Sequence, residues 1–132
     1  GLDGARRRRL RQHGALMKVY SYKGCGACRK ALKHLDGKKV KYELRAIREQ
    51  PPTVPELERM LACYGGDLKR LFNTSGRDYK ALKIKDKLPK LSVKEALLML
   101  SKNGNLVKRP FVLTTKGGLV GFKPDEWARL DS

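Results

Sequence analysis

The chain has 132 residues, is 40% hydrophobic and carries a formal net charge of +18. That length and apolar content suit one domain around one core, and no apolar run approaches the ~20 residues that a membrane-spanning helix needs. Three cysteines are too few for the disulfide framework of a secreted protein, and the basic N-terminus has no apolar signal segment behind it, so a reducing, cytoplasmic setting is expected.

Part of the charge is concentrated at one end. Arg6 to Arg9 and Arg11 stand against Asp3 in residues 1–16, a stretch without periodicity that reads as a disordered basic leader. Residues 17–132 are then expected to form the domain. Its remaining cations are spread along the chain. Such a surface attracts polyanions or acidic protein patches in a salt-dependent way, or is a solvated lysine coat. Direct nucleic-acid binding stays open at this point.

Residues 18–22 are strand-like. Cys25-Gly26-Ala27-Cys28 follows, and Cys28, Ala31, Leu32 and Leu35 recur at i, i+3, i+4 and i+7, the apolar stripe of a helix that Gly37 ends. Val40, Tyr42, Leu44 and Ala46 alternate with polar residues, which predicts a half-buried strand parallel to the first and closes a βαβ unit. Pro51-Pro52 breaks the chain. Thr53 as N-cap, Pro55 in the first turn and Glu56 as capping-box partner start a helix running through Leu57, Met60, Leu61 and Tyr64 to Gly65-Gly66. Cys63, on this amphipathic helix, is expected in the core. A short helix over 67–72, a turn at 73–76 and a helical turn over 79–82 come next. Ser92 and Glu95 form a second capping box ahead of Val93, Ala96, Leu97 and Leu100, with Gly104 as the stop. Residues 111–114 and 119–122 around Lys116-Gly117-Gly118 predict a hairpin. A closing helix over 124–130 carries Trp127 as a core anchor.

Chemistry concentrates at the CxxC. Two thiols at a helix N-terminus can close a small disulfide ring, and the exposed N–H groups and helix dipole there favour a thiolate on the first sulfur. Next to a strand–helix–strand pattern, this spacing is the usual mark of a thioredoxin-like redox site. Cys25 is the candidate nucleophile, with Lys23, Arg29 and Arg109 as sources of positive charge. Cys28 is the candidate resolving thiol, which attacks a mixed disulfide at Cys25 and releases the reduced partner. Two other readings stay open. The pair can fill space in the core, or it can be half of a zinc site, for which only Cys63, His13 and His34 remain as further ligands. Neither a metal nor a cofactor is expected. His34, on the polar side of a lysine-rich helix, is expected to be solvated.

Three stretches carry a family likeness: Cys25-Gly-Ala-Cys28-Arg29-Lys30-Ala31, Leu71-Phe-Asn73-Thr-Ser-Gly76 followed by Tyr79-Lys-Ala-Leu82, and Asn105-Leu-Val-Lys108-Arg109-Pro110-Phe-Val112. With the element order, they resemble the arsenate-reductase (ArsC)-like family that includes the Spx regulators, over about residues 17–130. The resemblance implies an α/β, thioredoxin-like fold of glutaredoxin type: a β-α-β…β-β-α core with a helical insertion, at about 53–104, between the second and third strands. It implies a cis Arg109–Pro110 bond beside the first cysteine. It also implies that glutaredoxin-linked reductases of the family use one cysteine at the Cys25 position and cradle an oxyanion with three arginines. Arg109 matches one of these, while Asn73 and Lys123 stand at the other two, and a lysine lacks the bidentate fork. With Cys28 present as in Spx-like members, the resemblance implies a thiol–disulfide redox protein using the CxxC pair. Glutathione, glutaredoxin or a thioredoxin-type protein would then be its reductant. An Spx-type redox-sensing regulator that binds the RNA polymerase α subunit is the second reading. Glutathione- and glutaredoxin-dependent arsenate reduction is the third.

Overall fold

Strand β1 (Lys18–Ser21) leads through a short loop into helix α1 (Gly26–Gly37) and on to β2 (Glu43–Ala46). Four helices follow: α2 (Val54–Cys63), α3 (Arg77–Ala81), α4 (Ile84–Lys87) and α5 (Val93–Lys102). The chain closes with β3 (Phe111–Thr114), β4 (Gly117–Val120) and α6 (Pro124–Trp127). These elements belong to a computed structural model that describes residues 17–131. The segment 1–16, expected to be a basic leader, lies outside the described residues. The sheet runs β2-β1-β3-β4. β1 and β2 are parallel, Lys18 to Ser21 opposite Glu43 to Ala46, while β3 is antiparallel to both β1 and β4. A parallel pair needs a crossover, and α1 supplies it.

Side chains of successive strand residues point to opposite faces, and each face has its own cover. Val19, Val112 and Leu119 meet Ala31 and Leu35 of α1 and Trp127 of α6. Tyr20, Phe111, Leu113 and Val120 meet Leu57 and Met60 of α2 and Ala96, Leu97 and Leu100 of α5. All four residues of β3 are therefore buried, as a strand covered on both faces requires. The buried indole of Trp127 donates its N–H to the Gly121 carbonyl at 2.9 Å, so its polar atom is satisfied. His34 departs from expectation. Its ring sits edge-on to Trp127 at 5.5 Å and to Phe122 at 6.0 Å, because α6 folds back over α1.

Both capping boxes form as expected. Thr53 and Glu56 exchange side-chain and backbone hydrogen bonds at the start of α2, and Ser92 and Glu95 do so at the start of α5. Glu56 also accepts from Lys18 Nζ at 2.9 Å and from the Tyr20 hydroxyl at 2.7 Å, which ties α2 to β1. At the other end of α2 the Tyr64 hydroxyl accepts from the Val120 N–H at 3.0 Å and donates to Glu126 at 2.9 Å. Arg70 completes that cluster, paired with Glu126 at 3.0 Å and lying 4.3 Å over the Tyr64 ring.

Three more sequence expectations are corrected. Leu44 is on the predicted face but 54% exposed, on the edge strand of the sheet, where neighbours flank it on one side only. Glu43 and Arg45, on the opposite face, are the half-buried pair and form an ion pair with each other. In the hairpin the glycines are strand, not turn, since β4 already begins at Gly117. A Cβ at Gly118 would stand 2.7 Å from Met60 Cε and 2.8 Å from Met60 Sδ, so the missing side chain makes room for α2. Cys63 is exposed rather than core. It lies on the flank of α2 at its last residue, off the stripe formed by Leu57, Met60, Leu61 and Tyr64.

Candidate redox site

The strand order explains where the site lies. The C-terminal end of β1 feeds the N-terminus of α1, parallel β2 ends on the same side, and antiparallel β3 begins there. Three loops thus meet around Cys25, which is the N-cap residue of α1 with extended backbone. Its Sγ accepts the Cys28 backbone N–H at 3.3 Å, one of the N–H groups that a helix start leaves without an intrahelical partner. A turn closed by the Cys25 N–H on the Tyr22 carbonyl, at 3.1 Å, sets the approach.

The two sulfurs have different surroundings. Cys25 is half-buried and reachable, whereas Cys28, one turn into α1, is 1% exposed. Burial pushes the Cys28 thiol up to about 12; the neighbouring Cys25 sulfur adds to the effect, while a backbone hydrogen bond at Tyr22 and the Arg109 charge oppose it. The inner thiol is therefore held protonated and shielded, and the outer one is presented.

Cys25 opens onto a cavity of about 500 Å³. Among the described residues, Arg48 from the loop after β2, Arg77 from the start of α3, and Lys108 and Arg109 ahead of β3 bring four cationic side chains to its wall, against the single carboxylate of Asp78. That carboxylate accepts from the side-chain amides of Asn103 at 3.1 Å and Asn105 at 3.3 Å. The Asn105 carbonyl accepts from Arg109 at 3.0 Å and from the Asn73 amide at 3.4 Å. Tyr22 stands beside Cys25, its ring centroid 5.1 Å from the Arg48 guanidinium carbon and 5.3 Å from that of Arg109. An electrostatically positive hollow next to a thiol suits an anionic reactant.

Of the residues singled out in the sequence, Cys25, Asn73 and Arg109 line this cavity together. Cys28 lies behind Cys25, and the Arg109–Pro110 bond is cis. Lys123 is not brought to the cavity; it is the exposed N-cap residue of α6. Lys23 and Arg29 pair locally, the guanidinium donating to the Lys23 carbonyl at 3.2 Å. His34 and Cys63, the other thiol and imidazole of the described residues, do not line the cavity either. Tyr22, Arg48, Arg77 and Asp78 are among the wall residues that sequence reasoning missed. Arg77 directly follows the Asn73-to-Gly76 turn, which was its one local signal.

A parallel β-α-β unit with a CxxC at the start of its helix, extended by an antiparallel hairpin and a closing helix, is a thioredoxin-like fold. More narrowly, the chain belongs to the ArsC family, whose family model matches residues 20–130. The uncharacterised protein YusI of Bacillus subtilis is 44% identical over 110 residues, 82% of this chain and 92% of its own. The global transcriptional regulator Spx of Listeria innocua is 25% identical over 114 residues, 86% of each chain. Among solved structures, an ArsC-family-related protein from Bacteroides fragilis superposes with a TM-score of 0.83 at 42% identity, covering 89% of this chain and 99% of that one. A possible arsenate reductase from Streptococcus mutans gives 0.82 at 35% identity, over 89% and 99%. No helix among the described residues is long and apolar enough to cross a membrane.

Proposed function

We propose that this ArsC-family chain is a thiol–disulfide redox protein whose Cys25 and Cys28 cycle between dithiol and disulfide. The observation that carries the reading is the division between the two sulfurs: Cys25 at the mouth of a cationic cavity, and Cys28 buried one turn behind it. Cys25, as the thiolate, attacks one sulfur of a substrate disulfide, forms a mixed disulfide and expels the other half as a thiolate. Cys28 then gives up its proton and attacks Cys25 Sγ, closing the intramolecular disulfide and releasing the second thiolate. The substrate gains two electrons and the protein loses two. Glutathione, glutaredoxin or a thioredoxin-type dithiol returns the pair to its reduced form, and a reducing cytoplasm is the setting we propose for this cycle. Intact-mass measurement tests the reading: oxidation should remove two hydrogens from the parent chain and none from Cys25→Ser. A loss that persists without Cys25 overturns it.

The relationship to Spx supports a second reading, in which the same disulfide is a switch and the partner is the RNA polymerase α subunit. Retention on the α C-terminal domain in one redox state and not the other is its expected result; no retention in either excludes it. Arsenate reduction stands third. Asn73 and Lys123 depart from the family's arginines, although Arg48, Arg77 and Arg109 bring guanidinium groups to the cavity. Arsenate-dependent NADPH oxidation in a glutaredoxin-coupled assay tests it.

A further inference from the structure

We propose that Tyr22 is a positioning residue that makes this site selective for anionic disulfides, by holding the Arg48 and Arg109 guanidinium groups beside Cys25. The inference rests on the reading of Cys25 as the nucleophile. Tyr22 lies three residues before Cys25 and is 37% exposed as a residue, so it is not a core side chain. What its ring touches is charge. Two guanidinium carbons lie 5.1 and 5.3 Å from its centroid, within the range over which an aromatic face attracts a cation. Each arginine has a second anchor. Arg48 donates to the Tyr22 hydroxyl at 3.2 Å, and Arg109 donates to the Asn105 carbonyl at 3.0 Å. One side chain thus gathers two like charges that would otherwise repel each other and sample many rotamers in water.

Gly24 fits this arrangement. A Cβ there would stand 2.8 Å from Tyr22 Cε2, so the ring lies against the loop that leads into Cys25 only because that position carries no side chain. The consequence falls on the first chemical step. When the Cys25 thiolate attacks R–S–S–R, the Cys25–S–S–R bond forms, the substrate S–S bond breaks, and R–S⁻ leaves with the electron pair. Carboxylates on the substrate and the charge on the leaving sulfur both face the clamped guanidinium groups, so an anionic disulfide gains where an uncharged one does not.

The test uses a Cys63→Ser chain as parent, since the exposed Cys63 thiol would react in parallel. Single-turnover rates are measured at Cys25 with dithiobis(nitrobenzoate), which carries two carboxylates, and with dithiodipyridine, which is uncharged at neutral pH. Tyr22→Leu should lower the first rate about three- to tenfold relative to the second, and added salt should narrow the parent's preference. Tyr22→Phe keeps the ring and should stay within about twofold of the parent ratio, whereas Gly24→Ala, which displaces the ring, should move with Tyr22→Leu. An unchanged ratio in Tyr22→Leu, or an equal fall with both reagents, overturns the proposal while leaving Cys25 as the nucleophile. A parent chain whose Cys25 reacts with neither reagent overturns both.

Discussion

Replacing Gly104 by alanine should destabilise the fold, because the added methyl group is driven into main chain. Gly104 opens the short helical turn between α5 and β3 and is buried. A Cβ built on it would lie 1.8 Å from the Ile47 carbonyl oxygen, 2.7 Å from the Ile47 carbonyl carbon and 2.9 Å from Arg48 Cα. All three are main-chain atoms, so no rotamer change relieves the clash. Restoring an ordinary C···O contact requires the two segments to part by roughly 1.5 Å. Ile47 is fully buried, and such a shift would also loosen its packing. Overpacking a core costs about 1–3 kcal/mol; with backbone as the obstacle the upper end applies, about 3 kcal/mol. For a domain of this size that corresponds to a fall in Tm of about 12 °C. Urea and thermal unfolding, followed by circular dichroism and by Trp127 fluorescence, would measure it. A loss under about 1 kcal/mol would refute the reasoning and show that the two segments separate freely.

Two further outcomes follow from titratable groups. Burial pushes the Glu56 carboxyl up, but the Thr53 N–H, Lys18 and the Tyr20 hydroxyl outweigh that and hold it below the usual carboxylate range. A carboxyl held down in the folded state contributes stability that is fully present above its unfolded value of about 4.3 and is lost as the pH falls through the lowered folded value. The stability gap between the parent and Glu56→Gln should therefore be widest near neutrality and shrink below about pH 4; a gap that is constant down to about pH 3 contradicts the linkage. For the thiols, iodoacetamide at neutral pH should modify Cys25 and Cys63 in the native protein and spare Cys28, which is buried and whose thiol is pushed up to about 12. Peptide mass mapping reads this directly, and labelling of Cys28 as fast as Cys63 would rule it out.

What was legible in the sequence was mostly local. The capping boxes at Thr53 and Ser92, the apolar stripe of α1 and the helical start at the CxxC each depend on residues within one or two turns, and each is found in the structure. α4 was missed because residues 83–90 alternate lysine with isolated apolar residues and carry no helical period, and because Lys83 enters the helix from a left-handed conformation at φ 55°. The solvation expected of His34 failed for a different reason. Its cover comes from Trp127, a contact that only the docking of α6 creates. Leu44 shows that alternation gives the face of a strand but not whether anything covers it. The cavity wall was the least legible part. Tyr22, Arg48, Arg77 and Arg109 come from four separated stretches, brought together by the sheet order and not by any spacing along the chain.

The Tyr64 hydroxyl has a consequence for how the molecule meets copies of itself. β4 is the last strand of the sheet, and an outward N–H on such a strand is a template to which a foreign strand can zip. At Val120 that donor is already engaged by Tyr64, which Glu126 and Arg70 hold from behind. An incoming strand must first break a side-chain cluster before it finds a vacant partner there. The end of α2 thus occupies one outward donor on the β4 edge of the sheet, on a part of the surface remote in sequence from the redox thiols.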